Sequence, residues 1–273
     1  MGIKMEYWVK VEPDVHIFVQ DVNPSGRKTI LFLHGWPLSH RAYEYQFNQL
    51  PKMGYRCIGM DMRGFGNSSK PWGGYDYDRL ADDVRMVVDT LQLKDFTLCG
   101  HSMGGAISIR YMARHNGYGV SKLVLLGAAA PSVTQRPDYP YGVPKEDITK
   151  LIQASLNDRP KMLRDLCDMF FFQYLTMPLQ DWFFQTCLQA AGWSTAACAM
   201  TFRDEALFSD LGKVQVPTLI MHGIHDKICL FPLAQILNQN IRNSTLIPFE
   251  FSGHGLFYEE RDKLNKELAQ FIG

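Results

Sequence analysis

The sequence predicts an α/β fold: a mainly parallel central sheet flanked by helices, with one helical insertion. Three observations carry this expectation. Short apolar, β-prone runs alternate with amphipathic stretches along most of the chain. The alternation breaks once, over residues 131–213, where the pattern is helical and no strand stands out. Residues 96–104 pass from an apolar run through a G-x-S-x-G turn into a helix-like stretch at 106–114. The expected organisation is a core domain of residues 1–130 and 214–273 with a helical cap, residues 131–213, inserted into it.

Taken in order, residues 7–11 and 15–20 alternate apolar and polar side chains, as half-buried strands do. A buried strand follows at 29–33, a helix near 43–50, a strand at 56–60 and a helix over about 77–91. The strand leading into the G-x-S-x-G turn and its helix come next, then a strand at 123–126. After the insertion come strands at 218–221 and 245–249, a helix near 233–240 between them, and a terminal helix from about 256 to 271. The insertion opens with a loop rich in proline and tyrosine at 137–144, which reads as a linker or hinge. Its interior is dense in aromatics and methionine, among them Met162, Met169, Phe170, Phe183, Trp193 and Phe202. Most of these are expected to form the insertion's own core and a minority to line an apolar pocket.

With 273 residues, 46% of them hydrophobic, the chain is long enough for one well-filled core plus an insertion. A formal net charge of zero and a pI near 7.1 give no electrostatic case for nucleic acid or an anionic membrane surface. The first eleven residues lack a basic segment followed by an apolar run, and no stretch approaches a membrane span. A cytoplasmic protein is the expectation. The six cysteines, at 57, 99, 167, 187, 198 and 229, show neither C-x-x-C spacing nor a dense framework, so neither disulfides nor a metal site are expected.

The chemistry begins at Ser102 in Gly100-His101-Ser102-Met103-Gly104. A serine lifted off a strand-to-helix turn sits on a tight bend where side chains two positions away would meet backbone, so glycines are needed there. About 0.1 chance matches to this pattern are expected in a chain of this length, so the context decides. That context, a strand before and a helix after, agrees. A serine hydroxyl is a poor nucleophile and needs a base and an orienting acid. His254, in Phe-Ser-Gly-His-Gly, is flanked by glycines that leave its loop free to approach another. Asp226 follows the predicted strand at 218–221, whereas the strand at 123–126 ends in Ala128-Ala129-Ala130-Pro131 and offers no carboxylate. The order Ser, Asp, His belongs with this turn. His34, His101, His222 and His225 are second choices for the base, with loop-orienting roles expected for them.

One oxyanion donor is expected from the amide after the nucleophile, Met103. The other is assigned to the amide of Trp36 in His34-Gly35-Trp36-Pro37, since Pro37 has no N–H to give. The loop Asp61-Met62-Arg63-Gly64-Phe65-Gly66-Asn67-Ser68 reads as structural, with Asp61 and Arg63 tying it down through charge-assisted hydrogen bonds.

Together, the motifs at His34, Asp61, Gly100, Asp226 and Gly253-His254 resemble the serine-nucleophile branch of the α/β-hydrolase superfamily, over residues 7–130 and 214–271. Trp36-Pro37 with Pro71-Trp72-Gly73-Gly74-Tyr75 is similar to the small arylesterases also described as non-haem haloperoxidases or perhydrolases. Dehalogenase and epoxide hydrolase relatives carry an aspartate at the turn, and Ser102 argues against both. The resemblance implies a cofactor-free carboxylic ester hydrolase working through an acyl-enzyme on small esters with an apolar part, with a perhydrolase side activity in which peroxide replaces water. Activity is expected to fall as pH drops through the histidine's pKa, near 6.5 for an unperturbed side chain. A lactonase, a C–C bond hydrolase and an acyltransferase stay open, as do a non-catalytic receptor on the same scaffold and a homo-oligomeric state.

Overall fold

The computed structural model describes residues 4–273; the first three residues of the stretch read for a leader lie outside it. Its strands are β1 (Lys4–Glu12), β2 (Val15–Val22), β3 (Lys28–Leu33), β4 (Tyr55–Met60), β5 (Phe96–His101), β6 (Val120–Leu126), β7 (Thr218–Gly223) and β8 (Ser244–Phe249). They form one eight-stranded sheet in the order β1-β2-β4-β3-β5-β6-β7-β8. A two-residue connection forces β1 and β2 antiparallel, and β2 lies antiparallel to β4. From β4 to β8 every pairing is parallel, because each connection carries a helix back across the sheet. Every residue of β5 and β7 is buried, which is why these strands read as continuous apolar runs instead of alternating ones.

The helices are α1 (Glu44–Gln49), α2 (Tyr77–Thr90), α3 (Met103–Arg114), α4 (Lys145–Asn157), α5 (Arg159–Phe170), α6 (Met177–Leu188), α7 (Gly192–Asp204), α8 (Phe208–Leu211), α9 (Pro232–Asn240), α10 (Leu256–Glu259) and α11 (Arg261–Ile272). Asp76 caps α2 by accepting the Arg79 amide at 2.8 Å. The helix expected near 43–50 is shorter: 3-10 turns at His40–Tyr43 and Leu50–Met53 bracket α1. Pro51 lacks the N–H that would continue the ladder, and Gly54 turns the chain at φ 91°.

Between β6 and β7 lie α4 to α8, as the break in alternation predicts. Two details differ from expectation. The loop at 137–144 is a hydrogen-bonded turn where an open linker was expected: the Val143 amide donates to the Val133 carbonyl at 2.9 Å, Arg136 and Tyr139 exchange backbone bonds at 2.9 Å, and Tyr139 is buried. The aromatic and methionine residues also divide more evenly than expected. Met162, Phe170, Phe183 and Phe202 are buried, while Met169, Phe172, Trp193 and Tyr174 are exposed, Tyr174 at 88%.

The loop after β4 is tied down by charge as expected. Asp61 accepts the His40 amide at 2.7 Å, the His40 ring at 2.8 Å and the Asn67 amide at 2.8 Å. Arg63 donates two bonds to Asp83 of α2, at 2.6 and 2.7 Å, and reaches Glu12 of β1 at 2.7 Å. All six cysteines are free and buried. Burial pushes the thiols of Cys57, Cys99 and Cys198 up, away from thiolate. Among the described residues no helix is long and apolar enough to cross a membrane.

Candidate active site

Ser102 stands between β5 and α3 with φ 52° and ψ −120°, a left-handed backbone that a residue with a Cβ adopts only under strain. The bend is held from both sides: the Ser102 amide donates to the Leu126 carbonyl at 2.9 Å, and the Ser102 carbonyl accepts from Gly105 and Ala129 at 2.9 Å. The two flanking glycines are steric necessities. A Cβ on Gly100 would run into the Gly104 carbonyl and the Ser108 hydroxyl, and one on Gly104 into the Leu33 and His34 carbonyls. The helix begins at Met103, three residues earlier than its apolar pattern suggests, because the strained residue launches it directly.

Asp226 follows β7. One carboxylate oxygen accepts the Ile228 and Cys229 amides, at 2.8 and 2.9 Å, closing a turn that fixes the side chain. The other accepts His254 Nδ1 at 2.7 Å and lies 3.2 Å from His222 Nε2. Burial opposes the charged form, yet the adjacent His254 and the hydrogen bonds from both histidines outweigh it and hold the carboxyl well below the usual range. Asp226 is therefore an anion. His222 Nε2 also donates to the Cys229 carbonyl at 2.6 Å, so it braces the aspartate loop.

His254 is buried, and its main chain is bonded at both ends: the amide to the Phe170 carbonyl at 2.9 Å, the carbonyl to His101 Nε2 at 3.0 Å. With Nδ1–H donated to Asp226, Nε2 carries the lone pair. That Nε2 is buried and has no hydrogen-bond partner among the described residues. The His101 ring lies 4.6 Å from the His254 ring and that of Phe170 4.8 Å from it. Burial first, then the neighbouring His254, push the His101 pKa well below its ordinary 6.5, so His101 is neutral and acts through its one N–H. His34 likewise braces a loop, accepting the Met62 amide at 3.0 Å, whereas His225 stacks on Phe172 at 3.7 Å.

Ser102 opens onto a cavity of about 290 Å³. Trp36, Met103 and Ala129 contribute to it from the sheet side, and Val133, Ile148, Leu151, Leu166, Met169 and Phe202 from the insertion. Asp147, Lys227 and Cys229 also line it. The Trp36 indole donates to the Thr195 carbonyl of α7 at 2.9 Å, so this residue anchors the insertion as well as lining the cavity. No hydrogen bond among the described residues engages the Trp36 or Met103 amide. Met103 is the first residue of α3, where amides have no partner within the helix. Among the described residues no group of three or more His, Cys, Asp or Glu side chains is arranged to hold a metal ion.

The structure thus brings Asp226 and His254 into direct contact, and places Ser102, Met103 and Trp36 together around one cavity. Sequence reasoning missed Glu259, whose carboxylate accepts the Gly253 amide beside His254 at 2.8 Å. Its partners are main-chain amides, two of them, Phe172 and Gln173, remote in sequence, and such amides leave no mark on residue type.

The sheet order and the serine turn at the end of β5 define an α/β-hydrolase. The profile described as alpha/beta hydrolase fold matches residues 28–261, and the chain belongs to this family. It is 51% identical over 267 residues to AB hydrolase superfamily protein YisY of Bacillus subtilis (strain 168), covering 98% of this chain and 99% of that one. It is 30% identical to Bifunctional esterase/perhydrolase DCH of Acinetobacter calcoaceticus, covering 97% of this chain and 99% of that one. The solved structure of an esterase (EaEST) from Exiguobacterium antarcticum matches with a TM-score of 0.95 at 41% identity, covering 98% of this chain and 99% of that one. The resemblance to esterases and perhydrolases is borne out.

Proposed function

We propose that the chain is a carboxylic ester hydrolase acting through Ser102, His254 and Asp226 on small esters with an apolar part, with residues 131–213 as its cap. One observation carries the reading: a serine on a strained turn opens onto an apolar cavity, while a buried imidazole bonded to an ionised aspartate keeps its Nε2 free. In this mechanism the Ser102 hydroxyl attacks the ester carbonyl and gives its proton to His254 Nε2. Asp226 fixes the ring tautomer and steadies the imidazolium. The amides of Trp36 and Met103 receive the oxyanion, a role supported by their lack of any other partner. His254 returns the proton to the leaving alcohol, and a water activated by the same nitrogen then cleaves the acyl-enzyme. No step calls on a cofactor or a metal.

The test is turnover of p-nitrophenyl acetate together with labelling by a serine-directed phosphonate. Ser102→Ala is expected to lose both, and turnover at the wild-type rate would reject the assignment. A second reading, attack of peroxide on the same acyl-enzyme to give a peracid, is favoured by the name of the Acinetobacter relative. Peracid formation from acetate and peroxide above the buffer rate supports it; none removes it.

A further inference from the structure

The loop that carries His254 is fastened to the helical insertion by a carboxylate at the end of α10. Glu259 Oε1 accepts the amides of Phe172 and Gln173, at 2.6 and 2.7 Å, in the connection between α5 and α6. Its Oε2 accepts the amide of Gly253 at 2.8 Å. Around this bridge the two segments are joined again. The His254 and Gly255 amides share the Phe170 carbonyl, at 2.9 and 3.1 Å, and the Gln173 side chain donates to the Phe251 carbonyl at 2.7 Å. Contact is at backbone distance: a Cβ on Gly253 would lie 2.9 Å from the Phe172 nitrogen, and one on Gly255 would run into the Phe171 ring.

The neighbouring Glu260 holds the same loop from outside, accepting the Phe251 amide at 3.0 Å and the Ser252 hydroxyl at 2.7 Å. Lys263 lies 3.6 Å from Glu260, but no cationic side chain pairs with Glu259 among the described residues. Three amides therefore donate to the Glu259 carboxylate, from two parts of the chain, and partly offset the burial and the neighbouring Glu260 that push its pKa up.

We infer that Glu259 is a positioning residue whose carboxylate locks the His254 loop to the α5–α6 connection, so that the seating of the insertion sets the placement of His254 Nε2. Its consequence for turnover rests on the ester-hydrolase reading above. The lock itself does not.

Glu259→Gln separates the two arms. Its single oxygen still accepts from Phe172 and Gln173, while its NH2 faces the Gly253 N–H, donor against donor, and the arm to the catalytic loop is lost. Removing one charge-assisted bond of this kind predicts a fall in kcat of about ten-fold with KM held within about two-fold. Amide exchange across residues 251–255 is expected to quicken by about ten-fold while the segment 96–104 is unaltered. Exchange at the wild-type rate overturns the lock. Quickened exchange with an unaltered kcat overturns the positioning role and leaves Glu259 a purely structural residue. A wild-type enzyme with no ester turnover sinks the ester-hydrolase reading instead, and the exchange measurement, which needs no turnover, still decides the lock.

Discussion

Ser102 holds φ 52° and ψ −120°, a conformation that costs a residue with a side chain about 1–3 kcal/mol and costs glycine little. Ser102→Gly is therefore expected to be more stable toward urea than Ser102→Ala by about 1 kcal/mol, with both expected to be inactive on the proposed reading. Equal midpoints would mean that the bend stores no strain. A second residue-scale prediction concerns His34 and His101, both buried with pKa values pushed below the ordinary 6.5, burial being the main cause. The unfolded chain binds protons at these sites as pH falls below 6.5 while the folded one does not, so their contribution to stability is present above 6.5 and lost on acidification. His101→Gln should lose stability less steeply than wild type between pH 7 and pH 5, followed as urea midpoints. Parallel profiles would contradict the assignment. At this scale Ser102, Asp226 and His254 could be picked out as candidates from the sequence because each bears a local mark: flanking glycines, a strand end, a fixed order. Glu259 bears none, since its bond to Phe172 spans 87 residues and is made to an amide that every residue but proline possesses.

At the scale of elements, the buried pair of Arg63 and Asp83 joins the loop after β4 to α2. Both side chains are 1% exposed, so removing one strands the other in the interior. Arg63→Met is expected to destabilise the fold by about 3–5 kcal/mol, while Arg63→Met combined with Asp83→Leu recovers most of that loss. A double-mutant cycle by urea unfolding checks this, and additive losses would count against the pair. Arg63 was legible as a loop tie, but its partner was not, because an aspartate in an amphipathic helix reads as solvated until the fold turns it inward. The central strands were legible in place, since burial on both faces demands an unbroken apolar run, but β6 starts three residues before and β7 ends two residues after the run that marks it. The loop at 137–144 was legible only as a break in regular structure. Proline and tyrosine there signal that break, and the exchange of backbone bonds between Arg136 and Tyr139 and the burial of Tyr139 fold it into a defined turn.

At the scale of the whole molecule, the proposed reading divides the work: Ser102 stands at the end of a sheet strand, and most of the apolar cavity wall comes from the insertion, so chemistry and selectivity would be carried by different parts of the chain. The serine turn is fixed by backbone geometry that tolerates little change. The walls are side chains, and a cavity of about 290 Å³ limits what they admit. Leu151 of α4 lines that cavity and is only half-buried, so a larger side chain can turn into the open space without overpacking the core. Leu151→Trp should lower kcat/KM for p-nitrophenyl octanoate by about ten-fold or more while changing that for the acetate less than about three-fold, if the acyl chain runs from Ser102 toward α4 so that only the longer one meets the new ring. Equal losses on both esters would place the acyl chain elsewhere. A gain on the longer ester would mean that the tryptophan ring extends the apolar wall rather than shortening the cavity, and either result would separate the cavity from the acyl site.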